Sequence, residues 1–165
     1  MKKMDYMKVA DTAMTRIKKG AFLTVKAKDK LNIMTIGWAT IGFCWRRPIF
    51  MIAVRDSRHT FSLIEKAVDF SVSIPGTDMH DAIMFCGTKS GSEIDKFKAC
   101  NLSLINSTRI TTPVVKTPGL HFECKIIFKS PMDPKFLCKE YEKLYPEKDY
   151  HTLYFGEIMA CYELE

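Results

Sequence analysis

Apolar residues along this chain fall mostly into runs and alternations of strand length, while helical spacing is confined to a few short segments. Residues 20–25 and 31–40 read as two strands joined by a polar turn over 26–30. Residues 49–54 form an apolar strand. Residues 70–74 alternate and stop at Pro75-Gly76, and residues 120–128 alternate with a polar side for water. Residues 151–162 form a long mixed strand. Residues 6–18 place Met7, Ala10, Met14 and Ile17 on one helical face and end in lysines ahead of Gly20. Residues 60–67 read as a short helix burying Phe61, Leu63 and Ile64, capped by Thr60 or Ser57. Residues 78–85 and 135–144 read as further short helices, the latter closed before Pro146. Strands dominate, helices are peripheral, and the connections are too irregular for a doubly wound sheet. The expected fold is mainly β, a closed antiparallel barrel with helical appendages.

Composition narrows this picture. A chain of 165 residues with 47% hydrophobic content can bury one proper core but not two ordinary ones, so a single domain over 1–165 is expected. No apolar run approaches the ~20 residues of a membrane span. The basic start Met1-Lys2-Lys3 lacks the apolar stretch of a secretion signal, which points to a cytoplasmic protein. Six cysteines show no Cys-x-x-Cys spacing and four sit in apolar surroundings, as free thiols in a reducing compartment would. His59, His80, His121 and His151 are scattered without metal-ligand spacing, so no metal is expected. The net charge of +6 comes from lysines alternating with acids, and no nucleic-acid signature accompanies it. A mildly basic solvated surface of this kind can draw in anionic ligands.

Two polar runs carry candidate chemistry. Cys86-Gly87-Thr88-Lys89-Ser90-Gly91-Ser92-Glu93-Ile94-Asp95-Lys96-Phe97 combines glycine-freed N–H groups, hydroxyls and ammoniums, the donors a phosphate needs. Its spacing is not that of a Walker A loop, and a helix rather than a strand precedes it. Arg55-Asp56-Ser57-Arg58-His59-Thr60 lies between the strand at 49–54 and the helix at 60–67. Four of the six arginines, Arg46, Arg47, Arg55 and Arg58, fall within one short window. Arginine forks match phosphate oxygens bidentately, which favours one local anion. The competing reading is an ordinary helix start with arginines paired to Asp56 and Glu65. The strand at 31–40 adds Asn32, Thr35, Gly37 and Trp38 among apolar residues, a flat wall with a polar rim suited to a planar heteroaromatic ring.

In this order the motifs resemble the flavin reductase-like domain proteins, which have an FMN-binding split-barrel fold and include the flavoredoxins. The resemblance runs through Gly20-Ala21-Phe22-Leu23, the segment from Asn32 to Trp38, Pro48, the Arg55–Thr60 run and Phe70-Ser71-Val72-Ser73-Ile74-Pro75. It continues through Cys86–Gly91, Asp95-Lys96-Phe97, Glu123-Cys124 and the segment from His151 to Ile158. It implies a split, Greek-key antiparallel barrel. It also implies that Asn32, Met34, Thr35, Ile36 and Trp38 border the isoalloxazine, and that Ser57, Arg58 and Thr60 grip the phosphate with Arg55 in the same run. By the same resemblance Ser90, Gly91 and Lys96 close the site, and His151 lies near the open face where nicotinamide stacks. Asp95 reads as a helix cap.

The implied cofactor is FMN, with FAD the second choice, and NAD(P)H or a redox protein as electron donor. The family's usual homodimer places the flavin near the subunit interface. The apolar positions at 49–54 and 153–159 exceed the needs of one small core, which also suggests a dimer. Two classes follow: an NAD(P)H-dependent flavin reductase, or a non-enzymatic flavoredoxin-type carrier with bound FMN. A storage or stress role for a flavin-binding domain is a third. No Gly-x-Gly-x-x-Gly fingerprint selects a nicotinamide donor. His151 has a plain alternative as a strand-initial surface histidine.

Overall fold

In the computed structural model, which describes residues 1–165, strand pairing organises the whole chain. The elements run β1 (Lys2–Lys3), α1 (Tyr6–Ile17), β2 (Ala21–Ala27), β3 (Lys30–Ile36), β4 (Ala39–Cys44), β5 (Arg47–Arg55) and α2 (His59–Ile64). They continue with β6 (Asp69–Pro75), α3 (His80–Thr88), α4 (Lys96–Ala99), β7 (Leu104–Ile105), β8 (Val114–Val115), β9 (Gly119–Pro131) and β10 (His151–Leu164). One antiparallel sheet has the order β3-β2-β6-β9-β10-β5-β4, with β1 added to β10. β3 and β4 follow each other in sequence yet form its two ends, with only Gly37 and Trp38 between them. Two edges of one sheet can lie that close only if the sheet curls round, which gives a barrel split along the β3/β4 seam.

That seam breaks the single strand expected over 31–40. β3 stops at Ile36, and the Trp38 carbonyl accepts the Ala53 N–H at 3.2 Å, which hands the chain to β5 before β4 begins. A barrel corner needs a bend, and Gly37 supplies it without a side chain to bury.

The core is built by β2, β3, β5, β6, β9 and β10, with α1 and α2 packed against them. α1 buries Val9, Ala13 and Ile17, while Met7 is exposed, so its apolar face is rotated from the expected one. Val9, Ala13 and Ile17 repeat every four residues, the tightest seam a helix can offer a curved sheet. β9 departs further from expectation. Gly119 to Cys124 are buried on both faces, including His121 and Glu123, and Ser71 and Ser73 of β6 are buried with them. The cause is the segment before β9, which folds over the polar side. His121 lies between Ser73 Oγ (3.0 Å) and the Thr117 carbonyl (2.9 Å), and burial lowers its pKa. Gly156 sits at a register shift between β9 and β10. A Cβ there would meet Phe70 Cζ at 2.6 Å and Cys124 Cβ at 2.7 Å, so no larger residue fits.

Two other expectations change. Residues 135–144 form 3₁₀ turns, Pro134–Phe136 and Lys139–Leu144, in place of one α-helix. Cys86, Cys124 and Cys161 are buried, Cys100 is half-buried, and Cys44 and Cys138 are exposed, all of them free. Ile49, Phe50, Ile52, Ala53 and Val54 lie inside the subunit's own core, not on surplus apolar surface. Exposed aromatics include Trp38, Phe43, Trp45, Phe128, Phe136 and Tyr141, and Trp45 packs on Phe128 and Phe155. No helix is long and apolar enough to cross a membrane.

Candidate functional site

The two polar runs, Arg55–Thr60 and Cys86–Phe97, meet across β3. A cavity of about 120 Å³ is lined by Asn32 and Met34 of β3, by Ser57, Arg58, His59 and Thr60, and by Cys86 to Gly91 with Lys96. Asn32 holds the two sides together. Its Nδ2 donates to Thr60 Oγ1 at 2.8 Å, and its carboxamide occupies the space a Cβ on Gly91 would need. Only glycine allows the loop to lie so close to β3.

The charge of this cavity is one-sided. Arg58, Lys89 and Lys96 line it, and no aspartate or glutamate does. Arg58 makes no salt bridge. Lys96 is buried, and its Nζ donates to the carbonyls of Cys86 (3.1 Å) and Lys89 (3.3 Å). Burial lowers the Lys96 pKa, and the neighbouring Arg58 lowers it further. An anion between the two cations would relieve both effects. Burial also pushes the Cys86 thiol up to about 12, so it is not a thiolate here. Asp95 caps α4 by accepting from Phe97 N and Lys98 N.

The Arg55–Thr60 run departs from the simple helix start. α2 begins after Arg58, and neither Ser57 nor Thr60 caps it. Ser57 instead donates from its N–H and Oγ to the two Asp149 oxygens, at 3.2 and 2.6 Å. Arg55 donates to the Asp149 carbonyl (2.7 Å) and the Leu144 carbonyl (3.2 Å), so it straps down the segment before β10. The alternative pairing of arginines with Asp56 and Glu65 does not occur. Asp56 accepts from Thr152, and Glu65 is held by Lys129 and Tyr154.

A second cavity, about 280 Å³, adjoins the first and shares Met34 and Arg58 with it. Its wall is the seam itself, Thr35, Ile36, Gly37 and Trp38, with Ala53, Arg55 and His151 opposite. Arg55 and His151 face each other in the β5/β10 register. Trp38 is half-exposed, and its ring lies 4.7 Å from the His151 ring. His151 is buried, not a surface residue, and its Nδ1 lies 2.8 Å from the Tyr145 hydroxyl. Burial, reinforced by Arg55, lowers its pKa to about 4, so the imidazole is neutral at pH 7. Thr35 donates to the Ile83 carbonyl, which fixes β3 against α3.

Every sequence-derived candidate thus lines one of two joined cavities. The sequence reading missed Tyr145 and Asp149, which reach the site from the stretch between the second 3₁₀ turn and β10. Their only trace is the apolar pair Leu144-Tyr145 before Pro146 within a charged stretch. Larger grooves, of about 540 and 770 Å³, lie around Asp78 to His80, but they contain acids and gather neither polar run.

Comparisons agree with this geometry. An uncharacterized protein of Archaeoglobus fulgidus is 28% identical over 138 residues, covering 84% of this chain and 68% of that protein. The structure of flavoredoxin from Methanosarcina acetivorans matches at 25% identity with a TM-score of 0.68, over 88% of this chain and 68% of that one. An FMN-binding protein from Thermus thermophilus, solved with bound 1-cyclohex-2-enone, matches at 22% identity with a TM-score of 0.69, over 87% and 69% of the two chains. This chain spans about two thirds of the length of each of these relatives. The family model described as flavin reductase like domain matches residues 14–165. With the split barrel and its seam already in place, that match settles the lineage: the chain belongs to the flavin reductase-like domain family.

Proposed function

We propose that the chain binds FMN across the two joined cavities and works as a flavin-dependent oxidoreductase of the NAD(P)H:flavin reductase type. The observation that carries this reading is an acid-free cavity with three cations opening into a ring-lined one. The phosphate suits Arg58, Lys96 and the N–H groups near Gly91, which together supply charge-assisted donors. The ring suits the Met34-to-Trp38 wall, where an apolar face carries a polar rim. FAD is the second choice, because the phosphate cavity is small and its mouth would have to pass an adenosine tail.

When bound, the flavin supplies hydride and single-electron chemistry that no side chain here provides. The chain's own residues bind and orient. Arg58 and Lys96 fix one end, Gly91 allows close approach, and Trp38 with His151 shapes the space beside the ring. A neutral His151 adds no further positive charge to that space at pH 7.

We extend the proposal to a homodimer. Trp45, Phe128 and Phe155 form a packed aromatic cluster with two exposed members, the kind of surface a second subunit covers. Light scattering should return twice the 19.0 kDa chain mass.

Anaerobic mixing of FMN-loaded protein with NADH and, separately, NADPH tests the enzymatic part. Bleaching of the flavin band on a turnover timescale is expected. Bleaching by neither, with FMN still bound, would replace the reductase by a flavoredoxin-type carrier fed by a redox protein.

A further inference from the structure

Tyr145 is the one buried side chain in the otherwise exposed 3₁₀ segment. Its ring is held on several sides. Trp38 meets it edge-on at 6.1 Å, Tyr150 lies against it at 4.9 Å, and the Arg55 guanidinium sits 5.1 Å over its face. Arg55 also holds the carbonyls of Leu144 and Asp149 on either side of it. So much fixation of one phenol places its hydroxyl at a chosen point, 2.8 Å from His151 Nδ1.

The hydroxyl has one proton and two candidate acceptors. The other is the Met132 thioether, at 3.4 Å. A thioether sulfur is a weak acceptor and an unprotonated imidazole nitrogen a strong one. The proton therefore goes to Nδ1, and a neutral imidazole must then carry its own proton on Nε2. Nε2 makes no hydrogen bond within the chain, while the ring lines the cavity beside Trp38.

We propose that Tyr145 is a positioning residue that locks His151 in the neutral Nε2–H form, so that the ring cavity offers a hydrogen-bond donor to an acceptor oxygen of the ligand. This rests on the flavin-site reading for its purpose, but the tautomer is a property of the chain alone. The ligand class it selects bears a carbonyl or carboxamide oxygen, since a nitrogen-bound proton would meet no partner there.

Long-range ¹H–¹⁵N spectra of the imidazoles, recorded on the flavin-free native protein, read the tautomer directly. His151→Gln identifies the signal. The expected pattern is unprotonated Nδ1 with protonated Nε2. In Tyr145→Phe, which keeps the ring and its packing, both nitrogens should move toward values averaged over the two tautomers. A merely structural role would lower melting temperature and leave these shifts alone. Protonated Nδ1 in the native protein, or shifts unchanged in a folded Tyr145→Phe, would overturn the proposal. FMN titration of both proteins is the separate check, since failure there sinks the flavin reading and leaves the tautomer result standing.

Discussion

Two places in the molecule gather donors suited to negative charge, and they are finished differently. Over β6 and β9, Glu123 accepts from Thr108 N (2.8 Å), Arg109 N (2.7 Å) and the Thr108 hydroxyl. Beside it Asp69 accepts from Thr111 N (2.9 Å), Thr112 N (3.0 Å) and the Thr111 hydroxyl. Both carboxylates are buried, neither has a cationic partner, and the anion comes from the chain itself. Their product is a fixed loop between β7 and β8. At the Arg58 cavity the donors are cationic and the lining contains no carboxylate. Donors that enclose an internal acid lock structure, whereas donors without one leave room for the external anion proposed above.

The comparison breaks most visibly at Glu123. Glu123→Ala would strand buried backbone N–H groups of Thr108 and Arg109, at a cost of about 3–5 kcal/mol of folding stability. Urea denaturation measures it, and FMN affinity of the folded variant should stay within about twofold. Arg58→Ala should show the reverse. Removing one charge-assisted phosphate contact weakens FMN by about 2–3 kcal/mol, while the exposed site leaves stability nearly unchanged. Fluorescence titration gives the first quantity and thermal melting the second.

His151 sharpens the contrast through pH. Its folded pKa, about 4, lies below the ordinary histidine value, so between pH 6.5 and 4 the unfolded chain binds the extra proton. Stability from this group is therefore fully present above pH 6.5 and is lost as pH falls toward 4, by roughly 1–3 kcal/mol. His121 contributes in the same direction, so His151→Gln should flatten only part of the slope. Chemical melts at pH 7, 5.5 and 4.5 measure the difference. The smallest effect belongs to Ser57→Ala. Its two donors already serve Asp149, so FMN binding should change by less than about 1 kcal/mol in the same titration.

Much of the fold was legible because strands announce themselves by runs and alternation, and the edges of β2, β5, β6 and β10 fall within a few residues of expectation. Burial was less legible. Alternation in β9 implied a wet face, yet His121 and Glu123 point into a covered layer, because the loop that covers them lies elsewhere in sequence. The cations and glycines of the first cavity were visible as local runs. Arg55 was assigned to the anion on sequence, yet its guanidinium holds backbone carbonyls, a distinction set by the path of residues 144–149. That path carries no periodicity, which is why Tyr145 and Asp149 escaped notice.

Titrating the native protein with FMN and with riboflavin, under identical conditions, tests the central claim most directly. The two ligands share the ring and differ only in the phosphate that the acid-free cavity is held to bind. FMN should bind tighter by about a hundredfold, equivalent to roughly 3 kcal/mol, with the gap narrowing as salt rises. Equal affinity for the two would contradict it.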